Sequence, residues 1–465
     1  MATLSNTPFS IDRKIVQLVK PSKPTPSEVL SLSSIDNDTI LENLWQSIYV
    51  YKANDNVSAA HKGQADPASI LAEALSKVLV YYFPLAGKLR RHSDGKLRLK
   101  CNADDGVPFV VATANCQLSS VNYLDKINTE NGRHFVCDFP SDSDHGYHPL
   151  ALQVTKFSCG GFTIGMSLSH SVCDGFGAAQ FFRALVELAS GESEPSVKPV
   201  WERERLVGNP TQEPFDVPVD KNSLATSPYL PTSDVVHEYF DVSAKSIAKL
   251  KMSLMEEANQ GHDTIERMTT FEILGAYVWR SRFRALKMDS NGNCCLHVAV
   301  GLRNLMEPPL PEGYYGNAFI SANVVLPARD LEKGSLTKVV KFIKQNKNLA
   351  LSNDYIRTFL GDMEKFPELN AKMKTGASME LTDWRHLGLL EGIDFGWKPV
   401  NLLPVPISNV PLFKELCMLM PPPKLSDTAM KSGDVRVFVS LPRAAMPKFK
   451  EEMDALMYGV DAAST

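Results

Sequence analysis

The chain has 465 residues, room for two large domains or about three smaller ones. Its 44% hydrophobic and 22% charged residues give the balance of an ordinary globular protein, and a net charge of −4 offers no electrostatic reason to expect nucleic acid or an anionic membrane as partner. The eight cysteines fall in no C-x-x-C pair, as free thiols in a reducing compartment would, and there is neither a signal-like apolar core near the start nor a run of about 18 apolar residues, so a cytoplasmic monomer is expected.

In chain order, Ile15 to Pro26 is a strand-like run closed by three prolines, and Leu30 to Asp36 leads through Ser and Asp turn chemistry to a second strand candidate, Trp45 to Tyr51. Asp66 and Pro67 make a cap and first turn for a helix whose apolar face is Ile70, Leu71, Ala74, Leu75, Val78 and Leu79, with Pro84 and Gly87 ending it. Gly95 to Cys101 alternates and reads as a strand. Phe162, Ile164, Met166 and Leu168 give a further strand, which hands over to a helix marked by Ala178, Phe181, Phe182, Leu185 and Leu188. Gly191 to Pro231, with seven prolines, predicts a long crossover between an N-terminal domain (1–190) and a C-terminal one (232–465).

The second half opens with a strand over Val235 to Phe240 and a helix from Ser243 to about Asn259. Thr269 or Thr270 with Glu272 resembles the start of another helix, buried along Phe271, Leu274, Val278 and Trp279. His297 to Leu302 is an apolar strand, Leu336 to Leu351 is amphipathic, and the chain closes with a strand over Val435 to Leu441 and a helix over Ala444 to Met457. Strand and helix signals alternate in both halves, which predicts an α/β fold with helices against sheets.

The strand-to-helix junction in the middle carries the chemistry. His170, Asp174 and Gly175 form the pattern His-x-x-x-Asp-Gly. An imidazole with an ordinary pKa of about 6.5 can take a proton near neutral pH. A packed or surface histidine is the plainer alternative, and the Asp, the Gly and the strongly apolar helix that follow weigh against it. One His and one Asp supply two ligands where a closed metal site wants about four, so no metal is expected. No Gly-x-Ser-x-Gly elbow of a serine hydrolase is present.

His170-Ser-Val-Cys-Asp174-Gly175 resembles the catalytic motif of the plant BAHD acyltransferases, and Asp394-Phe395-Gly396-Trp397-Lys398 resembles that family's second signature, Asp-Phe-Gly-Trp-Gly. Similarity also runs through Tyr82 to Gly87, Thr270-Phe271-Glu272, Arg303, Tyr315-Gly316-Asn317 and Thr382-Asp383-Trp384, most like the branch of the taxane and alcohol acyltransferases. The resemblance implies two similar-sized chloramphenicol-acetyltransferase-like α/β domains with a solvent channel between them. It implies transfer from an acyl-CoA, a co-substrate with no bound cofactor, to a hydroxyl or amine of a small plant metabolite.

By the same resemblance His170 is the general base of a ternary complex, and Asp174 pairs with Arg303 in a structural role. Trp384 and Thr382, and more weakly Asn317, are oxyanion or substrate contacts; Thr269 touches the coenzyme A side; and Asp394 to Trp397 form a loop holding the C-terminal domain. Lys398 stands where the family has Gly, so it needs an ordinary backbone conformation there. Lys88 is a milder departure, from Arg. Nothing near Cys173 suggests a nucleophilic thiol. An acidic acceptor would call for a clamp such as Arg357 or Arg385; the expected acceptor is a neutral alcohol, with an acetyl or benzoyl donor. A catalytically silent ligand-binding relative competes with this reading, as does a carrier-fed condensation domain, although the latter usually has paired histidines and Ser169 precedes His170 here.

Overall fold

The computed structural model describes residues 9–53, 66–138, 146–210, 223–260, 267–365, 377–405, 415–425 and 433–459. Part of the expected crossover, 211–222, therefore lies outside the described residues. The strands are β1 (Ile11–Val19), β2 (Glu28–Ser31), β3 (Leu44–Lys52), β4 (Lys88–Arg91), β5 (Leu97–Cys101), β6 (Val107–Ala114), β7 (Leu150–Lys156), β8 (Phe162–Ser169), β9 (Val235–Val242), β10 (Asn293–Gly301), β11 (Phe319–Pro327), β12 (Ser378–Asp383), β13 (Lys398–Pro404), β14 (Leu416–Met420) and β15 (Val435–Pro442).

They form two six-stranded mixed sheets, β1-β6-β7-β8-β3-β13 and β11-β10-β12-β14-β15-β9, and a small sheet β2-β5-β4. Helices Pro67–Val78 and Gly175–Ala189 pack on each other within the core of the first sheet. Helices Thr270–Ala285, Leu336–Leu349 and Met446–Tyr458 cover the second. The expected α/β architecture of two helix-flanked sheets is thus present. Among the described residues no helix is long and apolar enough to cross a membrane.

The patterning explains which faces are buried. β8 is buried along its whole length, as a central strand covered on both faces must be. β11 instead alternates, with Ile320, Ala322, Val324 and Leu326 buried against the helices and Phe319, Ser321 and Asn323 turned the other way. The helix that begins at Pro67 ends at Val78, earlier than Pro84 would require. Its continuation turns so that Tyr82 packs edge-on against Phe181 and Tyr315, with centroids 5.3 and 5.1 Å away.

β13 comes from the C-terminal half yet pairs antiparallel with β3 in the first sheet. The Asp394–Trp397 loop just before it packs there too, which differs from the expectation that it holds the C-terminal domain. Phe395 lies 5.3 Å from Tyr51, 6.0 Å from Phe162 and 5.4 Å from Trp397, and the Tyr51 hydroxyl donates to the Ile393 carbonyl at 3.0 Å. Edge-on and tilted aromatic packing, which sequence spacing does not reveal, decides the loop's partner. Gly396 takes the positive φ of the turn (+97°), while Lys398 opens β13 opposite Lys52 with an ordinary φ, so the Lys fits where the family has Gly.

Phe395→Ala is expected to cost about 3–5 kcal/mol by removing the ring that joins this loop to the sheet. Urea unfolding of the purified protein reads that loss as a lowered midpoint, with turnover of the folded fraction kept within about threefold.

Candidate active site

β8 ends at Ser169, and the turn that follows delivers His170 to the space between the sheets. The His170 N–H donates to the Asn43 carbonyl at 3.0 Å, and the Val172 N–H to that of Ser169 at 3.1 Å. Asp174 then caps the next helix, its Oδ1 accepting from the Gly177 N–H at 2.9 Å.

Asn317 holds the imidazole. Its amide nitrogen lies 2.7 Å from Asp36 Oδ1 and 2.6 Å from the His170 carbonyl. Both of those atoms are acceptors only, so the nitrogen of the amide must face them and its oxygen must face the ring. That oxygen lies 3.0 Å from His170 Nδ1, which therefore carries the ring hydrogen and leaves Nε2 with its lone pair. Asn317 thereby differs from the oxyanion contact expected of it, because both amide hydrogens are already engaged.

Asp36 is the buried anchor of this chain and was not singled out from the sequence. It is 0% exposed, accepts from the Ser33 N–H at 3.1 Å, and meets Arg203 Nε at 3.3 Å. Arg203, from the crossover, is 1% exposed and lies over Trp201 and Tyr315, 4.2 and 4.8 Å from the ring centroids, while its Nη2 donates to the Val172 carbonyl at 2.8 Å. Gly316 makes room for it: a Cβ there would stand 1.4 Å from Arg203 Nη1. An arginine two residues after Trp201 in the crossover was the available signal. Its partner 167 residues away was not, since no local pattern links the two.

Asp174 turns away from His170. Arg303 grips it with two hydrogen bonds of 2.8 Å, and the Ala318 N–H adds a third at 3.1 Å. Burial alone would raise this carboxyl's pKa; Arg303 and the backbone donors outweigh it and hold Asp174 below the usual carboxylate range. For His170 burial dominates and lowers the pKa below the ordinary 6.5, against the pull of Asp174, Asn317 and Asp36. Cys173 is buried, which pushes its thiol up and keeps it protonated near neutral pH.

His170 opens on a cavity of about 640 Å³ walled by both sheets. The Trp45 ring stands 5.6 Å from that of His170 and 5.6 Å from that of Trp384, and Phe319 lies 5.9 Å from His170 on the other side. Thr382 and Trp384 line this space, as do Asp174 and Arg303. Thr269 does not line it: the residue is exposed and its hydroxyl accepts from the Glu272 N–H in a capping box, so its side chain is spent on the helix start. Arg357 is exposed beside Asp354, and Arg385 is bound by Asp383 at 2.8 Å; neither lines the cavity.

Carboxylates outnumber cations in the cavity wall, although Asp174 is paired with Arg303 and Asp383 with Arg385. Asp38, Asp174, Glu380 and Asp383 line it, and among its described lining Arg303, already bound to Asp174, is the one Lys or Arg. Among the described residues no three His, Cys, Asp or Glu side chains gather as a metal site.

Residues 9–456 match the model of the Transferase family. A spermidine sinapoyl-CoA acyltransferase of Arabidopsis thaliana is 45% identical over 97% of this chain and 98% of its own. A spermidine coumaroyl-CoA acyltransferase of the same plant is 46% identical over 96% of this chain and 95% of its own. The crystal structure of vinorine synthase superposes with a TM-score of 0.72 at 22% identity, covering 96% of this chain and 98% of that one. The chain belongs to the Transferase family, the BAHD acyl-CoA-dependent acyltransferases.

Proposed function

We propose that the protein moves an aromatic acyl group of the hydroxycinnamoyl type from coenzyme A to a primary amine of a polyamine, with His170 Nε2 as proton acceptor. The observation that carries this reading is the presence of Asp38 and Glu380, besides the arginine-paired Asp174 and Asp383, in the wall of the cavity on which His170 opens with its Nδ1 already engaged. Such a lining favours a cationic guest and opposes an acidic one. The similarity to two spermidine acyltransferases supports the same acceptor class. This replaces the neutral alcohol expected from the sequence, and the apolar ring walls of Trp45, Tyr49 and Phe319 suit an aromatic acyl chain.

The amine attacks as its free base. The C–N bond forms at the thioester carbonyl, and Nε2 takes the proton that the nitrogen sheds from the tetrahedral adduct. The C–S bond then breaks, the imidazolium returns the proton to the coenzyme A thiolate, and amide and free thiol leave. No acyl-enzyme is needed, and the protonated Cys173 thiol would be a poor nucleophile. Asn317 fixes the tautomer; Asp36, fixed by Arg203, supports the imidazolium from behind; Trp384 and Thr382 are the proposed oxyanion contacts. Asp174 and Arg303 keep the structural role expected of them, and the domain division at 191–231 is proposed with it.

His170→Ala is expected to lower kcat by about 10²–10⁴-fold in a thiol-release assay while the protein stays folded. Asn317→Leu is expected to lower kcat by at least about tenfold with the acceptor KM little changed, because the wrong tautomer then competes.

The pH profile separates amine from alcohol acceptors. A lowered imidazole pKa keeps Nε2 free above it, so activity is lost only as pH falls below about 6.5. With an amine acceptor kcat/KM keeps rising toward the amine pKa near 10, whereas with an alcohol it levels off once His170 is neutral. Asp36→Leu leaves Arg203 buried without its carboxylate, and a loss of about 3–5 kcal/mol is expected in urea unfolding.

A further inference from the structure

The second sheet turns a row of polar side chains toward the cavity. β10 lies between β11 and β12, with His297 opposite Asn323 on one neighbour and beside Glu380 on the other. Three adjacent strands therefore align Asn323, His297 and Glu380 across one face of the sheet. Both His297 and Glu380 line the cavity, as does Ser321 beside them.

His297 is 5% exposed, and its Nδ1 lies 2.7 Å from Asn323 Oδ1, which also accepts from the Ser321 hydroxyl at 3.1 Å. With the Asn323 oxygen turned to the ring, Nδ1 carries the hydrogen and His297 Nε2 presents a lone pair. That ring nitrogen is buried and has no hydrogen-bond partner among the described residues; the Asn323 amide nitrogen is likewise buried without a partner among them. A buried acceptor in this condition is costly, and structures keep few of them without a reason.

The spacing fits an extended guest. Phe319, whose ring is 5.9 Å from that of His170, precedes Asn323 by four residues on β11. Trp384, which continues β12 in the same sheet and shares Trp45 with His170 as a ring neighbour, follows Glu380 by four. Four residues of strand span about 13 Å, so the polar row lies roughly that far from the reacting end. A linear triamine of nine C–C and C–N bonds, each near 1.5 Å, spans about 11 Å when extended. A shorter diamine falls short of the row, and the phosphates of coenzyme A would meet repulsion from Glu380.

We propose that Glu380 and His297 form the far subsite of the acceptor: the Glu380 carboxylate and the His297 Nε2 lone pair hold the distal ammonium of a linear triamine whose other end reaches His170. This rests on the amine-acceptor reading above. The subsite selects acceptors by the charge on the tail and by its distance from the reacting nitrogen.

The test is steady-state kinetics on the full chain with saturating coumaroyl-CoA, comparing spermidine with hexylamine, whose tail carries no charge. Glu380→Gln is expected to raise the spermidine KM by at least about tenfold, while the KM values for hexylamine and coumaroyl-CoA move by less than about twofold. His297→Gln is expected to raise the spermidine KM by about three- to tenfold, and supplies the test if Glu380→Gln does not fold by thermal melting. Folded variants whose spermidine KM stays within about twofold of wild type, in a protein that acylates spermidine, overturn the subsite and leave the amine reading standing. A wild type that uses hexylamine as well as spermidine overturns the subsite too. A wild type that acylates alcohols and no amine overturns both.

Discussion

Everything at the centre of this molecule depends on where one amide points. Asn317 comes from the C-terminal half, and its nitrogen faces two acceptors, the Asp36 carboxylate and the His170 carbonyl, both contributed by the N-terminal half. With the nitrogen committed, the oxygen is committed as well, and so is the tautomer of His170. The contact that joins the two halves is therefore the same contact that leaves Nε2 open. A shift between the sheets large enough to break it would alter the proposed base before it altered the cavity walls.

Two buried ion pairs hold that geometry. Asp36 with Arg203 anchors the far end of the amide, and Asp174 with Arg303 ties the start of the helix after His170 to the strand end of the second sheet. Charges this deep are expensive to bury and contribute little net stability against an apolar packing of the same shape. Their worth lies in direction. A carboxylate that also accepts from a backbone N–H and an amide fixes orientations that apolar contacts leave loose. The cationic partners come with shape: Arg203 needs Gly316 for space and aromatic faces for contact, so the Tyr-Gly-Asn run serves two neighbours at once.

Much of this was legible in the sequence where a local rule operates. The strand and helix around His170, the capped helix at Pro67 and the helices after Ser243 and Thr269 follow from apolar period and capping chemistry. What was not legible is what distance in sequence conceals. β13 leaves its own half to pair with β3, Phe395 finds Tyr51 and Phe162, and Asp36 meets an arginine in the crossover. Motif similarity pointed to Asn317 as a residue of the site but not to its side of the ring, because a motif conveys identity and not orientation. Thr269 shows the reverse case: its capping pattern was visible, and the cap is where the structure uses it.

The proposed amine acceptor rests on the cavity's lining and not on a motif. Charge summed around a pocket is a property of several segments at once, and Asp38 joins Glu380 and Asp383 of β12 in one lining only in the folded chain. The chemistry nonetheless turns on the state of one ring. Nitrogen NMR of protein with ¹⁵N-labelled histidine, assigned by comparison with His170→Gln, measures that state directly. A neutral His170 at pH 7 with its hydrogen on Nδ1 is the predicted result; a hydrogen on Nε2, or a ring already doubly protonated at that pH, would contradict it.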